Sequence, residues 1–311
     1  MTNYEIKRKG NWGYISPTPE PKLAKALDKY MSYERQGKEF MPNPAWAMVH
    51  LYSIKQSRFP WGFRYLVKRL LNRWCEVNKN DKYDYAFYIT ETPLNLIDGL
   101  EVMEKIFGNN GLRDYQQNAI SNLIKYDGGI LCMPTGSGKT KTALEYLKIL
   151  DMPATIVVTT LDIKDQWEKQ ITDSKFKVIN YQSKSCSELI KNSKIIIFDE
   201  CHHVSAKTIY DLAQKDATTD SIIIGLSASP VREDGETMRI TAAIGDIVYT
   251  ISRRELINSG YLADATVEYY KTQFDMSQDK FLTYQDIYKK HIVENFYFRN
   301  RKSRRPKKGN N

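Results

Sequence analysis

The sequence is poor in the residues that build disulfide frameworks and metal centres. Its 311 residues include four histidines and four cysteines, and the cysteines lie far apart, as Cys75, Cys132, Cys186 and Cys201. None of these cysteines has the spacing of a disulfide pair or of a metal-ligand motif. The sequence therefore indicates a protein of a reducing, intracellular compartment rather than a secreted disulfide scaffold.

Long apolar segments are also missing. No apolar run approaches the roughly 20 residues that a membrane-spanning helix needs. The polar start "MTNYEIKRKG" does not have the pattern of a signal peptide. Internal repeats and low-complexity linkers are absent from the sequence as well. We therefore expect a cytoplasmic protein without a membrane segment.

The charge is unevenly distributed along the chain, which has a formal net charge of +9. Residues 1–110 carry 17 Lys and Arg against 12 Asp and Glu, whereas residues 111–298 carry 22 against 25. The last thirteen residues carry seven basic side chains and no acidic one. Basic ends of this kind favour a polyanionic partner held at the periphery of the molecule. From charge alone, solvated surface lysines are an equal alternative.

Residues 1–105 mix aromatic and basic side chains and predict a small α+β N-terminal domain. The segment "NWGYISPTPEPKL" contains three prolines and predicts loops around a short strand. Residues 22–36 predict a helix whose apolar stripe consists of Leu23, Ala26, Leu27, Tyr30 and Met31. Residues 61–77 predict a second helix, with apolar Phe63, Leu66, Val67, Leu70, Leu71 and Trp74 on one face and Arg64, Lys68, Arg69 and Arg73 on the other. This domain is either a nucleic-acid-binding accessory domain or a purely structural helical cap.

From Leu112 onward, short segments rich in Ile and Val alternate with helical or loop segments. The predicted strands are Ile130–Met133, Ala154–Val158, Lys177–Tyr181, Ile195–Phe198 and Ile222–Leu226. Segments such as "TKTALEYLKIL" and "LDIKDQWEKQI" lie between them. This alternation predicts an α/β fold in which a parallel sheet is covered by helices on both faces.

The segment "MPTGSGKT", which ends at Thr140, predicts a phosphate-binding loop because it follows a predicted strand and opens a helix. Gly136 and Gly138 let backbone N–H groups turn towards phosphate oxygens at the positive end of a helix dipole. Lys139 can reach the β- and γ-phosphates, and the Thr140 hydroxyl can hold Mg²⁺. Met133 stands where the general G-x-x-x-x-G-K-T pattern has its first glycine, so the strict motif is not matched.

A metal-bound triphosphate also needs carboxylates. The segment "KIIIFDECHH" predicts a buried strand that delivers Asp199 and Glu200 at its carboxyl end, where open α/β sheets bind ligands. Asp199 suits Mg²⁺, and Glu200 suits a general base for an attacking water. The next residues, Cys201, His202 and His203, also suggest zinc. Adjacent side chains diverge and lack the usual ligand spacing, so we expect no zinc site there.

The motifs "PTGSGKT", "DECH" and "LSASP" occur in this order and resemble motifs I, II and III of superfamily 2 helicases of the DExH type. Other segments are similar to further motifs of the XPB and phage UvsW-like branch of DNA helicases: "LRDYQQNAI" (112–120), "TTLDIKDQW" (159–167), "VINYQS" (178–183), "LSASPVREDG" (226–235) and "AIGDIVY" (243–249). The segment "RFPWGFRYLVKRLL" is similar, less specifically, to the region ahead of the motor in this branch.

The resemblance implies a RecA-like ATP-binding lobe over residues 106–298, following an accessory domain over residues 1–105. It further implies ATP and Mg²⁺ as cofactors, and duplex, branched or single-stranded DNA as the partner. The compartment it implies is a phage or bacterial cytosol.

The resemblance also implies roles for individual residues. Nucleotide binding would involve Arg113, Gln116, Pro134, Thr135, Gly136, Ser137, Gly138, Lys139 and Thr140. Gln116 would recognise adenine. Catalysis would involve Lys139, Asp199, Glu200 and His202, and Mg²⁺ would be held by Thr140 and Asp199. Coupling of the ATP state to the nucleic-acid site would involve His202, Ser227, Ala228 and Ser229. The phosphate backbone of one strand would be contacted by Thr160, Asn180 and Tyr181.

Three residues depart from the family pattern. Ser229 and Asn180 stand where Thr is common, and Asp114 stands where Pro is common. Ser229 keeps the hydroxyl group, and the Asn180 amide can still donate to a phosphate.

In this family a second RecA-like lobe closes over the nucleotide and supplies arginines worth about 10³–10⁵ in rate. The segment "HIVENFYFRNRK" resembles the bridge into that lobe, and residues 299–311 form a basic tail that we expect to be disordered. Another lobe would need about 100–150 further residues. We therefore expect the N-terminal region and the first motor lobe alone in this chain.

The leading hypothesis is the motor lobe of an ATP-dependent DNA helicase or translocase that acts on duplex or branched DNA. Without a second lobe, for which a second polypeptide is the candidate source, its ATPase activity would be weak. The alternative is a nucleotide- and DNA-binding half-protein or regulator without ATPase activity, which works with a partner chain. The motor subunit of a restriction nuclease would require a nuclease segment, which this sequence lacks.

Overall fold

The computed structural model describes residues 4–36, 41–77, 88–89, 99–108, 111–203, 206–229 and 236–264. The chain divides into two units, residues 1–263 and 264–311, and all described residues except Asp264 belong to the first. Three expectations fall outside the described residues: the end of the "LSASPVREDG" segment, the "HIVENFYFRNRK" bridge and the basic tail.

The N-terminal region forms a small sheet with helices packed on it. Its elements are β1 (Glu5–Lys9), β2 (Trp12–Ser16), α1 (Pro21–Tyr30), β3 (Ser32–Glu34), β4 (Met48–His50), β5 (Arg58–Pro60), α2 (Arg64–Val77), β6 (Tyr88–Ile89) and α3 (Gly99–Phe107). The sheet order is β5-β2-β1-β6, antiparallel except for the pair β1–β6, while β3 and β4 form a separate antiparallel pair. Ile6 and Ile15 face each other across β1 and β2, and both are buried in the core of this region. The predicted α+β character is confirmed.

The first helix is shorter than predicted. The prediction extends to residue 36, whereas α1 ends at Tyr30. The Met31 N–H donates to the carbonyl oxygens of both Leu27 and Asp28, and the Ser32 hydroxyl donates to Asp28 O at 2.7 Å. These bonds close the last turn, and the chain then enters β3. The buried Met31 side chain belongs to the core without belonging to the helix.

The second helix ends at Val77 as predicted but begins at Arg64 instead of residue 61, since Trp61–Phe63 form a 3-10 turn. One of its arginines is not on the expected face. Arg64 begins α2 and is only 4% exposed. Its guanidinium donates to the carbonyl oxygens of Tyr126 at 2.5 Å and Asp127 at 3.0 Å, at the turn before the large sheet. The expectation that Arg64 shares a polar face with Lys68 and Arg69 is therefore wrong, because tertiary contacts draw it inward.

The larger region alternates helices and strands. Its elements are α4 (Asp114–Lys125), β7 (Gly129–Cys132), α5 (Lys139–Leu150), β8 (Ala154–Val158), α6 (Leu161–Glu168), β9 (Phe176–Asn180), α7 (Cys186–Lys191), β10 (Ile195–Phe198), α8 (Ala206–Asp216), β11 (Ile222–Ser227), α9 (Thr237–Ile244), β12 (Ile247–Thr250) and α10 (Arg253–Asn258). Among the described residues, no helix is both long enough and apolar enough to cross a lipid bilayer.

Six parallel strands form the central sheet in the order β12-β7-β11-β10-β8-β9. The predicted strands β8 and β10 have their predicted bounds. β7 and β9 each lie one residue earlier than predicted, and β11 ends one residue later. Successive residues of β10 enter opposite layers, because side chains alternate across a strand. Ile195 and Ile197 pack in the core of one face, and Ile196 and Phe198 in that of the other. The predicted α/β fold with a covered parallel sheet is confirmed.

The N-terminal region packs closely on the larger region within the same unit. A Cβ atom at Gly62 would lie 2.1 Å from the carbonyl oxygen of Thr241, so this contact requires glycine. The Asn11 side chain donates to Ala243 O at 2.9 Å, and the Arg8 guanidinium donates to Ser221 O at 2.5 Å. The two regions thus share one buried and one partly buried hydrogen bond.

Candidate active site

The loop between β7 and α5 has the backbone conformation that a phosphate loop requires. Gly136 and Gly138 have φ values of 84° and 83°, in the left-handed region that favours glycine. A Cβ atom at Gly138 would lie 2.7 Å from Gln116 Nε2. Glycine at this position therefore allows both the turn and the close approach of another chain segment.

Lys139, the first residue of α5, points back over the loop. Its ammonium group donates to Met133 O at 3.2 Å and lies 3.2 Å from Glu200 Oε1. The lysine and glutamate are sixty-one positions apart in the sequence, and the fold brings them together because β7 and β10 both lead to the same edge of the sheet. A cation thus lies between the loop and the acidic pair.

Asp199 follows β10 and is only 8% exposed. Its Oδ1 accepts from the Glu200 N–H at 2.9 Å, and its Oδ2 accepts from the Trp167 indole N–H at 2.7 Å. Burial raises the pKa of Asp199 and the nearby Glu200 charge adds to the rise, while the Trp167 hydrogen bond and Lys139 oppose it. The carboxylate is therefore oriented by two donors in a poorly solvated position.

Glu200 has a φ of 46°, which is uncommon for a residue with a side chain. This backbone conformation turns the chain sharply after the strand. Glu200 Oε1 faces Lys139, and Oε2 lies 3.5 Å from His202 Nδ1. The carboxylate thus spans the space between the lysine and the histidine.

A hydrogen-bonded chain connects His202 to the end of β11. His202 Nδ1 is hydrogen-bonded to the Ser227 hydroxyl at 2.8 Å, and the Ser229 N–H donates to the same hydroxyl at 3.1 Å. The Met133 N–H donates to Ser227 O at 2.9 Å, and Cys132 Sγ lies 3.7 Å from Ala228 O. The candidate coupling residues are therefore adjacent to both the acidic pair and the phosphate loop.

Arg113 and Gln116 lie beside the loop at the start of α4. The Gln116 side chain is buried, with Oε1 accepting from the Arg113 N–H at 3.0 Å and Nε2 lying 3.4 Å from Ser137 O. The Arg113 guanidinium lies 4.8 Å from the ring centroid of Tyr261, and it donates to the Tyr115 hydroxyl at 3.1 Å. Arg113 and the two tyrosines thus form an aromatic and cationic edge beside the loop.

The cavity at this edge of the sheet has a volume of about 410 Å³. Its lining consists of Pro134, Thr135, Gly136, Gly138, Lys139, Thr140, Ile163, Gln166, Trp167, Asp199 and Glu200. The Ser137 side chain is buried beneath the loop instead, and the Tyr115 hydroxyl donates to its carbonyl oxygen at 2.5 Å. A glycine cradle, an ammonium group, a hydroxyl and two carboxylates are the donor set that a magnesium-bound triphosphate requires. The residues present therefore fit this ligand.

Thr160, Asn180 and Tyr181 lie at the carboxyl ends of the neighbouring strands β8 and β9, outside the cavity lining. Thr160 is the N-cap of α6, where its hydroxyl accepts from the Ile163 N–H at 3.3 Å. The Asn180 amide donates to Thr159 O at 3.0 Å. These residues lie at the ends of adjacent strands, but they do not line the cavity that contains the candidate nucleotide-binding residues.

Sequence reasoning missed Trp167 and Tyr261 as parts of this site. Trp167 is the last residue of the quoted segment "TTLDIKDQW", and a tryptophan in an amphipathic helix indicates burial but not a bond to a carboxylate 32 positions away. Tyr261 follows α10 and stacks edge-on against Tyr115, with ring centroids 5.2 Å apart. No local pattern marks it.

Comparison with known proteins adds independent findings. Residues 109–183 and 170–232 match a family model described as "Type III restriction enzyme, res subunit". The DNA 3'-5' translocase XPB2 of Sulfurisphaera tokodaii is 31% identical over 221 residues, which are 64% of this chain and 48% of that protein. The general transcription and DNA repair factor IIH helicase/translocase subunit XPB of Enterocytozoon bieneusi is 23% identical, with 73% of this chain and 44% of that protein covered. The chain spans about half the length of the curated relatives it matches.

The fold also has a solved counterpart. The crystal structure of the UvsW helicase from bacteriophage T4 aligns with a TM-score of 0.62 at 17% identity, covering 80% of this chain and 100% of that one. At this identity the likeness shows the fold, a RecA-like parallel sheet preceded by a small N-terminal region. The sequence matches and the shared fold together support a superfamily 2 helicase of the XPB and UvsW-like type.

Proposed function

We propose that this chain provides the ATP-binding motor lobe of a DNA helicase or translocase. The observation that carries the proposal is the 3.2 Å contact between Lys139 Nζ and Glu200 Oε1. It lies in a cavity that Asp199 and the glycine loop also line. A phosphate-binding loop and a pair of carboxylates for metal and water, brought together in one cavity, are the parts that phosphoryl transfer to water requires.

The residues of this site have distinct roles in the proposed hydrolysis. Backbone N–H groups of the loop and the Lys139 ammonium would bind the phosphates, and Thr140 and Asp199 would hold Mg²⁺. The bound ion would neutralise charge on the phosphate oxygens. Glu200 orients a water and accepts its proton, a role that suits the carboxylate held between Lys139 and His202. Trp167 would keep the Asp199 carboxylate in a fixed orientation through its indole N–H.

DNA is the proposed partner of the strand-end residues. Three of these residues lie beside one another at the ends of β8 and β9: Thr160, Asn180 and Tyr181. Their hydroxyl and amide groups can donate hydrogen bonds to the phosphate oxygens of a nucleic-acid backbone. Support for DNA comes from the relatives, which are named as DNA translocase and DNA repair factor subunits. Helix α6 carries Thr160 at its start and Trp167 near its end, so it is the element through which nucleotide and nucleic acid would affect each other.

The N-terminal region is proposed as an accessory domain for duplex DNA. The division at residues 1–105 and 106–298 belongs to this proposal. The Arg58 guanidinium lies 4.2 Å from the ring centroid of Trp12, and Trp46 is 64% exposed. Aromatic and basic side chains are suited to bases and phosphates. This region would raise DNA affinity without taking part in hydrolysis.

A second RecA-like lobe is part of the proposed working enzyme. The relatives that match this chain are about twice its matched length, so they have room for such a lobe. Without groups from a second lobe, we expect this chain to bind ATP but to hydrolyse it slowly. The rival function is a nucleotide- and DNA-binding regulator without hydrolysis.

Steady-state ATP hydrolysis tests the proposal. The rate should be low, should rise on addition of duplex or single-stranded DNA, and should vanish in Lys139→Ala. The matched control is Lys148→Ala on the same helix, since Lys148 is exposed and bonds only Glu145 among the described residues. The lack of any hydrolysis that depends on both DNA and Lys139 would favour the regulator. A parallel series with RNA decides whether the nucleic acid is DNA.

A further inference from the structure

We propose that Glu200, His202 and His203 form a binding site for a transition-metal dication such as Zn²⁺, and that the bound ion blocks the active site. The ion site stands on the geometry of these three residues alone. The block rests on the proposed function, because it assumes that Glu200 acts in ATP hydrolysis.

The turn after β10 gathers the three side chains. The His203 N–H donates to Glu200 O at 2.8 Å, which closes a tight turn over residues 200–203. One ligand atom from each of Glu200, His202 and His203 lies within 4.8 Å of the other two. The two imidazole rings have centroids 4.0 Å apart. The expectation that these adjacent side chains diverge therefore does not hold for the histidines.

Cys201, which first suggested zinc in the sequence, is not part of this site. Its side chain is buried in the core on one face of the sheet. Burial raises the pKa of the Cys201 thiol to about 12, and among the described residues Cys201 is not one of the side chains whose ligand atoms lie close together here. The carboxylate of Glu200 takes the place of the thiolate as the anionic ligand.

The two oxygens of Glu200 face different neighbours. Oε1 faces Lys139 at 3.2 Å, whereas Oε2 lies 3.5 Å from His202 Nδ1. An ion between Oε2 and the imidazoles is therefore on the side away from the ammonium group, where repulsion is smaller. His203 is exposed and gives the ion access from solvent.

The ligand set selects the class of ion. Two imidazoles and one carboxylate suit Zn²⁺, Co²⁺ or Ni²⁺, whereas Mg²⁺ prefers oxygen ligands alone. Zinc–nitrogen bonds of about 2.0–2.1 Å would draw the three ligand atoms closer than they now lie, which the exposed His203 ring permits by rotation. A fourth position remains for water, as in three-ligand zinc sites.

Occupation of this site would disable two groups of the proposed mechanism. A metal-bound Glu200 oxygen is no longer free to accept a proton from water. A metal-bound His202 ring is drawn away from its 2.8 Å contact with the Ser227 hydroxyl. The ion would thus act at the base and at the coupling chain, and not by replacing Mg²⁺ at Asp199.

Metal binding by the full chain is the first test. Equilibrium dialysis with Zn²⁺, and the visible absorption of Co²⁺ complexes, would compare the wild-type chain with His203→Ala and His50→Ala. His50 is the matched control, because it is an exposed histidine of the N-terminal region that pairs with Asp28 at 2.9 Å. We expect His203→Ala to weaken binding at least about tenfold and His50→Ala to leave it unchanged. Equal affinities in all three proteins would overturn the site.

Zinc inhibition of ATP hydrolysis at constant excess Mg²⁺ is the second test. Wild-type activity should fall with Zn²⁺ and return with a chelator, while His203→Ala should need about tenfold more Zn²⁺ or more. Zn²⁺ that acts at the Mg²⁺ position would inhibit the wild-type chain and His203→Ala alike. That result would contradict the proposed inhibition through Glu200, His202 and His203. If neither protein hydrolyses ATP, the proposed hydrolysis and the block fail together, whereas dialysis still decides the ion site.

Discussion

The Trp167 indole donates its N–H to Asp199 Oδ2 at 2.7 Å, within a buried contact between α6 and the end of β10. The indole ring is fully buried, so this hydrogen bond has no competition from water. Among the described residues, Trp167 is the only side chain that donates a hydrogen bond to Asp199. The other donor is the Glu200 backbone N–H. Asp199, the candidate Mg²⁺ ligand, is therefore oriented by α6, the helix that has Thr160 as its N-cap.

Replacing Trp167 by Phe tests this arrangement. The hydrogen bond lowers the pKa of Asp199 against the effect of burial, so its loss should raise that pKa further. We expect the acid limb of Mg²⁺-dependent nucleotide binding to move to higher pH. Loss of a hydrogen bond to a charged group should also lower the free energy of unfolding by about 1.5–3 kcal/mol. A pH series of binding titrations measures the first effect, and denaturant unfolding measures the second.

The matched control is Trp46→Phe, since Trp46 is 64% exposed and lies in the N-terminal region. It should leave the pH profile in place. If Trp167→Phe also leaves it in place, Asp199 does not depend on the indole.

Gly138→Ala should impair nucleotide binding beyond its effect on stability. Both Gly138 and Gly260 have left-handed backbone, with φ values of 83° and 72°. A Cβ atom at Gly138 would meet Gln116 at 2.7 Å, while one at Gly260 would meet nothing within 4 Å. Each alanine should cost about 1–3 kcal/mol of stability from backbone strain. Nucleotide titrations should then show reduced affinity in Gly138→Ala alone, and equal affinity in both variants would contradict the role of the loop.

Ser227→Ala should separate coupling from nucleotide binding. The Ser227 hydroxyl bonds His202 at 2.8 Å and accepts from the Ser229 N–H at 3.1 Å, but it is not part of the cavity lining. We expect nearly unchanged ATP affinity with a smaller stimulation of hydrolysis by DNA. Ser259→Ala, an exposed serine after α10, is the control. A variant that loses ATP affinity and keeps full stimulation would assign Ser227 to binding instead.

Arg64→Met should destabilise the chain in a pH-dependent way. Burial raises the pKa of Asp127, and Arg64 and Arg8 oppose the rise. A raised pKa means that the folded state holds the proton more tightly, so this contribution to stability is present at low pH and is lost as pH rises through the raised pKa. Without Arg64 the pKa rises further and the loss extends to higher pH. The variant also removes the hydrogen bonds from the guanidinium to the carbonyl oxygens of Tyr126 and Asp127, and a hydrogen bond that involves a charged group contributes about 1.5–3 kcal/mol to stability.

Denaturant unfolding at a series of pH values measures this effect. Arg69→Met is the control, since Arg69 lies on the same helix and is 66% exposed. The double variant Arg64→Met with Asp127→Asn should lose the added pH dependence. A pH dependence that persists in the double variant would point to another group.

The sequence predicts the buried strands of the central sheet better than the short strands of the N-terminal region. β8 and β10 have their predicted bounds because each is a continuous run of buried, mostly β-branched residues, which a covered parallel strand requires. β1 was not predicted, since only Ile6 of "EIKRK" is fully buried and the other positions carry charges. Its strand state depends on pairing with β2, which is a tertiary contact.

In the candidate site, too, residues with a local sequence pattern were predicted, and residues that depend on tertiary contacts were not. The glycine loop and the acidic pair carry local patterns that predict their chemistry. Trp167 and Arg64 do not, because each acts on a partner brought to it by the fold, Asp199 in one case and the turn at Asp127 in the other. A single sequence identifies such residues as buried or charged but does not reveal their partners.

Equilibrium titration of ATP with Mg²⁺ tests the central claim most directly, comparing the wild-type chain with Lys139→Ala and Lys148→Ala. The claim is that Lys139, Asp199 and Glu200 surround one magnesium-bound triphosphate. Loss of the charged contact should lower affinity about tenfold to a hundredfold in Lys139→Ala, with no change in Lys148→Ala. Equal affinities in the three proteins, or no binding to the wild-type chain, would contradict it.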